Sequence, residues 1–138
     1  MDERDVLCEA LRKVNASLPF LVLIVFATLL SLGTVVFQKG QLCRTLEGGD
    51  VSGEPPVYPI KRAAGAIIVG ALGFFLCLAL DTLGKARAGD DPVARRSAQV
   101  NVLASLLVLA AAILRLDDIE AVEHSRQSAL LEEDVLPD

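Results

Sequence analysis

Few side chains in this chain are of a type and spacing that do chemistry, and they are scattered. Asp81 is the one acid inside a long apolar run, and Lys85 follows it by one helical turn. A carboxylate in hydrocarbon points to an ion or proton site. Beside a lysine and near the end of the run, this one reads instead as half of an interfacial ion pair. Asn101 is the most polar residue well inside an apolar segment. Hydrocarbon offers its amide no partner, so it must face other helices or the interface. His124, the sole histidine, lies four residues after Glu120, a helical spacing suited to a metal. A single histidine in an acidic helix reads as a solvated residue. Cys8, Cys43 and Cys77 match no zinc or disulfide spacing, and Cys77 reads as a small packing residue. No serine, cysteine or acid has a histidine partner in the apolar runs. No glycine-rich phosphate loop precedes a helix, and no metal-ligand set occurs. The expectation is no enzyme: no catalytic site, no metal site and no cofactor.

Three short patterns remain. Pro55-Pro56-Val57-Tyr58 matches the PPxY form bound by WW domains, in which a preformed polyproline II segment docks in an aromatic groove. It abuts an apolar segment and serves only if its loop is cytosolic. Asn15-Ala16-Ser17 fits the glycosylation pattern but borders an apolar run. Leu130-Leu131 resembles a dileucine signal with Arg126 where an acid is wanted.

The elements that carry these residues are set by hydropathy. Leu18 to Phe37 has no charge, Ala63 to Leu83 has one, and Gln99 to Leu114 is shorter and flanked by Arg95, Arg96 and Arg115. About twenty apolar residues span a bilayer core of roughly 30 Å. The segments predict an all-α, polytopic membrane protein, a three-transmembrane-helix bundle with short helical tails. The divisions are an amphipathic tail at 1–17, spans at 18–37, 63–83 and 99–115, a Gly/Pro-rich loop at 38–62, a short basic loop at 84–98, and an acidic tail at 116–138. Leu7, Leu11 and Val14 share a stripe in the first tail, and Pro19 suits the first turn of the next helix. The first span is expected to stay in the mature chain, because acids are mixed into the residues before it and no small-x-small cleavage site follows.

Charge narrows the partners. The net charge is -5, and residues 116–138 carry eight acids against one arginine, so the acidity belongs to that tail. Such a tail suits neither nucleic acid nor anionic headgroups. Lys and Arg number seven on the side of the N-terminal tail and second loop and six on the other. The compact basic second loop favours a cytoplasmic N-terminus and a non-cytoplasmic C-terminus.

Helix packing is the remaining signal. Ala66, Gly70, Gly73 and Cys77 recur on one face of the second span, where small side chains let another backbone approach closely. Ala27, Ser31 and Thr34 on the first span, and Asn101, Ser105 and Ala112 on the third, offer matching faces. The stripe is expected at the centre of the bundle. The leading functional expectation is an accessory subunit or assembly factor of a larger membrane complex, with the bilayer and another integral membrane protein or a second copy as partners. A homo-oligomeric pore lined by Thr28, Ser31, Thr34, Asn101 and Ser105 is one alternative. An adaptor for a WW-domain protein through Pro55, Pro56 and Tyr58 is another.

Overall fold

The structure, a computed structural model, describes residues 2–135. It is all-helical over those residues: α1 (Glu3–Leu46), α2 (Tyr58–Ala88) and α3 (Pro92–Val135). Each is long and apolar enough to cross a membrane. The sequence predicts a helix that continues out of the third span and frays before Pro137, which lies outside the described residues.

The helices outrun the apolar segments. At 1.5 Å per residue, the 44-residue α1 and α3 are each about 66 Å long. The first tail and first span form one helix, with Pro19 inside it and not in its first turn. Proline removes one backbone donor, and the neighbouring turns carry the helix past it. Ser17 Oγ adds a bond to the Val14 carbonyl at 2.7 Å. The loop expected from Gln38 starts later. A lone glycine does not stop a helix, and Gly40 is passed over. The stop comes at Gly48, whose φ of 86° only glycine adopts freely. Its N–H donates to Thr45 O at 3.1 Å, and that of Gly49 donates to Arg44 O at 2.8 Å. That pair of bonds is a Schellman cap.

The second connection is shorter than 84–98, because Gly84 to Ala88 continue α2. Gly89 ends α2, Asp91 Oδ1 accepts from Val93 N–H at 3.0 Å, and Pro92 opens α3. Asp91 is thus an N-cap and Pro92 takes the first-turn position where its missing N–H costs nothing.

Helix α2 is the middle member: it packs against both α1 and α3, which do not pack against each other. The buried side chains are small, namely Ala27, Ala64, Ala71, Ala79, Ala98 and Thr34, joined by Leu83. On α3, Ala98, Val102, Ser105, Leu109, Ala112, Leu116 and Ile119 form the covered row. Their steps of four and three follow the 3.5 period that keeps two helices in contact along their length. Phe20 of α1 stacks on Phe74 of α2 with ring centroids 3.8 Å apart.

Close packing has a local signature at Gly65, where an added Cβ would meet Leu116 Cδ1 at 3.0 Å. At Gly70 nothing lies within 4 Å of such a Cβ. Gly65→Leu is therefore expected to lose about 1–3 kcal/mol through overpacking. Gly70→Leu is expected to lose none. Denaturing-detergent titration in mixed micelles, followed by helical circular dichroism, compares the two directly. Equal losses would mean that the α2–α3 contact does not run through Gly65.

Candidate functional site

The residues singled out for helix packing divide between two surfaces. A helix turns about 100° per residue, so Ala66 sits 200° from Ala64 and on the opposite face of α2. Ala64, Ala71 and Ala79 are buried against the neighbouring helices. Ala66, Gly70 and Cys77 are exposed, Gly73 is half-buried, and Gly84 continues their row. Nothing lies within 4 Å of a Cβ built at Gly70, Gly73 or Gly84. Within one chain, then, the stripe is an open face and not the centre of the bundle. The centre is held by a second row of small residues two positions away.

Ser31, Asn101 and Ser105 lie on the other side of the layer. Ser31 edges a cavity that also touches Gly65, Ile68 and Ala112. Asn101 and Ser105 edge a different one of about 330 Å³, with Ser17 and Thr82. The three polar residues are therefore not gathered at one point, and none meets the open stripe. Of the α1 set, Ala27 and Thr34 are buried. The hydroxyls of Thr28, Ser31 and Thr34 donate to the carbonyls of Ile24, Ala27 and Leu30 at 2.8, 2.9 and 2.8 Å. Their protons are thus spent on their own helix.

Charged groups clamp both ends of the layer. Lys85 Nζ donates to Glu9 and lies 3.5 Å from Asp81, while Lys13 lies 2.8 Å from Asp81. The Asp81–Lys85 pair expected from spacing is one edge of this larger group. At the other end Arg62 meets Glu120 at 3.0 Å. Glu9, Lys13 and Glu120 carry no motif. The available signal was charge set at turn spacing on helices extended past their apolar runs.

The PPxY segment is folded back. Pro55, Pro56 and Val57 line an apolar cleft with Leu30, Phe37 and Ile60, and Arg44 pairs with the adjacent Glu54. Tyr58 is the first residue of α2 and is half-buried. An extended PPxY ligand would require the first turn of α2 to unwind. Cys8, Cys43 and Cys77 are free and exposed. Among the described residues no group of three or more His, Cys, Asp or Glu is placed to hold a metal.

The Glu9–Lys85 contact gives a pH dependence of definite sign. The hydrogen bond from Lys85 and its charge hold the Glu9 carboxyl below the usual carboxylate range, and the bond to Glu9 raises Lys85. The lowered acid contributes above its ordinary pKa, and that contribution is lost as pH falls through the lowered value. The raised lysine contributes below its ordinary pKa, and that is lost as pH rises through the raised value. Spin labels at Cys8 and at position 87 should report a constant distance from mildly acidic to mildly alkaline pH. The distribution should broaden beyond either limit. Glu9→Gln removes the carboxylate on which both shifts chiefly rest, so both limbs should weaken, and an unchanged acid limb in that variant would show that Glu9 is not responsible.

No family model matches the chain, and no curated protein or solved structure matches it.

Proposed function

We propose that the chain inserts in a bilayer through residues 18–37, 63–83 and 99–115 and acts as a non-enzymatic accessory subunit or assembly factor of a larger membrane complex. The observation that carries this reading is the open face of Ala66, Gly70, Gly73 and Cys77 along the central helix. In lipid, helices associate through close van der Waals packing, and small residues permit it. Here that surface is uncovered, although α1 and α3 already flank α2. At most 17% of the most apolar stretch of any helix is buried by the chain itself. Lipid or a partner helix must cover the remainder, and a flat row of small residues favours a helix.

The pore alternative is weaker on two counts. The α1 hydroxyls donate inward to their own backbone, and Ser31 and Asn101 border different cavities. The adaptor alternative needs Tyr58 released from α2, and it needs a cytosolic first loop.

Cys77 lies on the open face, so thiol crosslinking in the native membrane reads its neighbour directly. The expected result is a crosslink to a second membrane protein or a second copy. Gly70→Leu with Gly73→Leu should abolish that link and leave the helical content intact. Mild detergent extraction that returns a stable monomer, with no membrane protein crosslinked through Cys77, would reject the proposal.

The proposed orientation places the N-terminus in the cytoplasm. A membrane-impermeant maleimide added to intact cells should then label Cys43 and spare Cys8. The reverse pattern would invert the topology, bring Pro55 and Pro56 to the cytosol, and restore the adaptor alternative.

A further inference from the structure

The groove between α1 and α3 ends in an arrangement that the partner-helix reading does not use. Ser31 and Val35 from α1, Lys61 and Ile68 from α2, and Ala112 and Arg115 from α3 line one cavity of about 300 Å³. Most of its lining is apolar, and Lys61 and Arg115 are the two cations among the lining residues. Lys61 lies just before the apolar run 63–83, and Arg115 closes the run 99–115. Both therefore lie at the depth where hydrocarbon gives way to headgroups, a placement that rests on the membrane reading above.

Among the described residues, neither Lys61 nor Arg115 has an acid within 4.0 Å, although Lys61 is half-buried. The adjacent Arg62 does have one, Glu120 at 3.0 Å, so that acid is already engaged. Asp117 is about 200° around the helix from Arg115 and faces away from it; Asp118, one turn on from Arg115, is its neighbour on the helix surface but does not come within 4.0 Å of it. Glu123 lies eight residues past Arg115, about 12 Å along the helix, which is roughly a Debye length at moderate salt. Lys61 is half-buried and Arg115 is exposed, and a partly desolvated cation without a counter-charge is costly; with a second unpaired cation lining the same cavity, the complement is an anion.

We infer that this groove binds one phospholipid of net negative charge, its phosphate held between Lys61 Nζ and the Arg115 guanidinium. An acyl chain then runs over Val35, Ile68 and Ala112. Size favours a lipid over a helix. A helix with side chains is about 10 Å across and does not enter a cleft of 300 Å³ already bounded by three helices. An extended acyl chain does. Basic pockets between membrane helices at the headgroup level are a known means of retaining such lipids.

The test uses the full chain reconstituted in phosphatidylcholine vesicles, with and without phosphatidylglycerol. Flotation of the protein with pure phosphatidylcholine vesicles comes first. A chain that does not float overturns the membrane placement, and this inference with it. After gentle extraction, native mass spectrometry should find phosphatidylglycerol retained in preference to phosphatidylcholine. K61Q with R115Q should weaken that retention about thirtyfold, the scale of two basic side chains at an anionic surface. R4Q with R87Q removes the same charge elsewhere and should leave retention unchanged. Ala112→Phe fills the groove with both cations intact and should also abolish it. A chain that floats but retains both lipids equally overturns the lipid site alone. So does retention that K61Q with R115Q leaves undiminished. Charge-dependent retention that survives Ala112→Phe indicates surface attraction and overturns the groove.

Discussion

Alanines at 64, 71 and 79 share one face of α2, where they are buried and let the flanking helices approach its backbone, and the rest of the structure follows from that approach. Apolar helices in lipid gain nothing by hiding from their surroundings, so contact must be close to be favourable. Bulky residues at these positions would hold the helices apart and forfeit most of the dispersion energy. The connections complete the arrangement. The short turn around Gly89 to Asp91 fixes α3 antiparallel and adjacent to α2. The longer segment between Leu46 and Tyr58, with its Schellman cap and the Arg44–Glu54 pair, lets α1 cross to the other side. The product is a layer of three helices with α2 in the middle, not a closed triangle.

Helix length and the ion pairs are one feature seen twice. Glu9 and Lys13 lie in the part of α1 before its apolar run, and Glu120 lies in the part of α3 after its own. Had the helices ended with their apolar segments, none of these groups would reach α2. Exposed ion pairs add little stability, yet opposite charges at fixed heights penalise a slipped register, where each would face apolar side chains. The α1 pairs engage the C-terminal end of α2, and the α3 pair engages its N-terminal end. Sliding either helix by one turn breaks its clamp.

Much of this was legible in the sequence. The three apolar runs, their helical character and the Ala27–Ser31–Thr34 face needed only hydropathy and spacing. The contact face of α2 was not legible, for a physical reason. That helix carries two rows of small residues, one through Ala64, Ala71 and Ala79 and one through Ala66, Gly70, Gly73 and Cys77. Spacing alone ranks the glycine row higher. What fixes the contact sides of α2 is information from elsewhere in the chain: Leu116 seated against Gly65 on one flank, and Lys13 against Asp81 and Phe20 against Phe74 on the other. Loop boundaries failed similarly. Gly40 and Gly84 look like breakers singly, but a helix stops where a cap can form, and Gly48-Gly49 can form one.

A layer leaves two long faces where a triangle leaves none, and the two differ in chemistry. The face of Ala66, Gly70, Gly73 and Cys77 has no charged side chain and almost no relief, so its complement must be another smooth backbone. The face between α1 and α3 is a trough with cations at both ends. At one end they are neutralised by Glu9 and Asp81; at the other, Lys61 and Arg115 have no acid within 4.0 Å among the described residues. The difference is consistent with the chain's overall acidity. Of the nearby acids, Glu120 is held by Arg62, Asp117 faces away around α3, and Asp118, though one turn from Arg115, stays more than 4.0 Å from it. Among the described residues of a chain of net charge -5, two positive groups at this trough thus have no acid within 4.0 Å. Helical phase, not composition, decides which charges can meet.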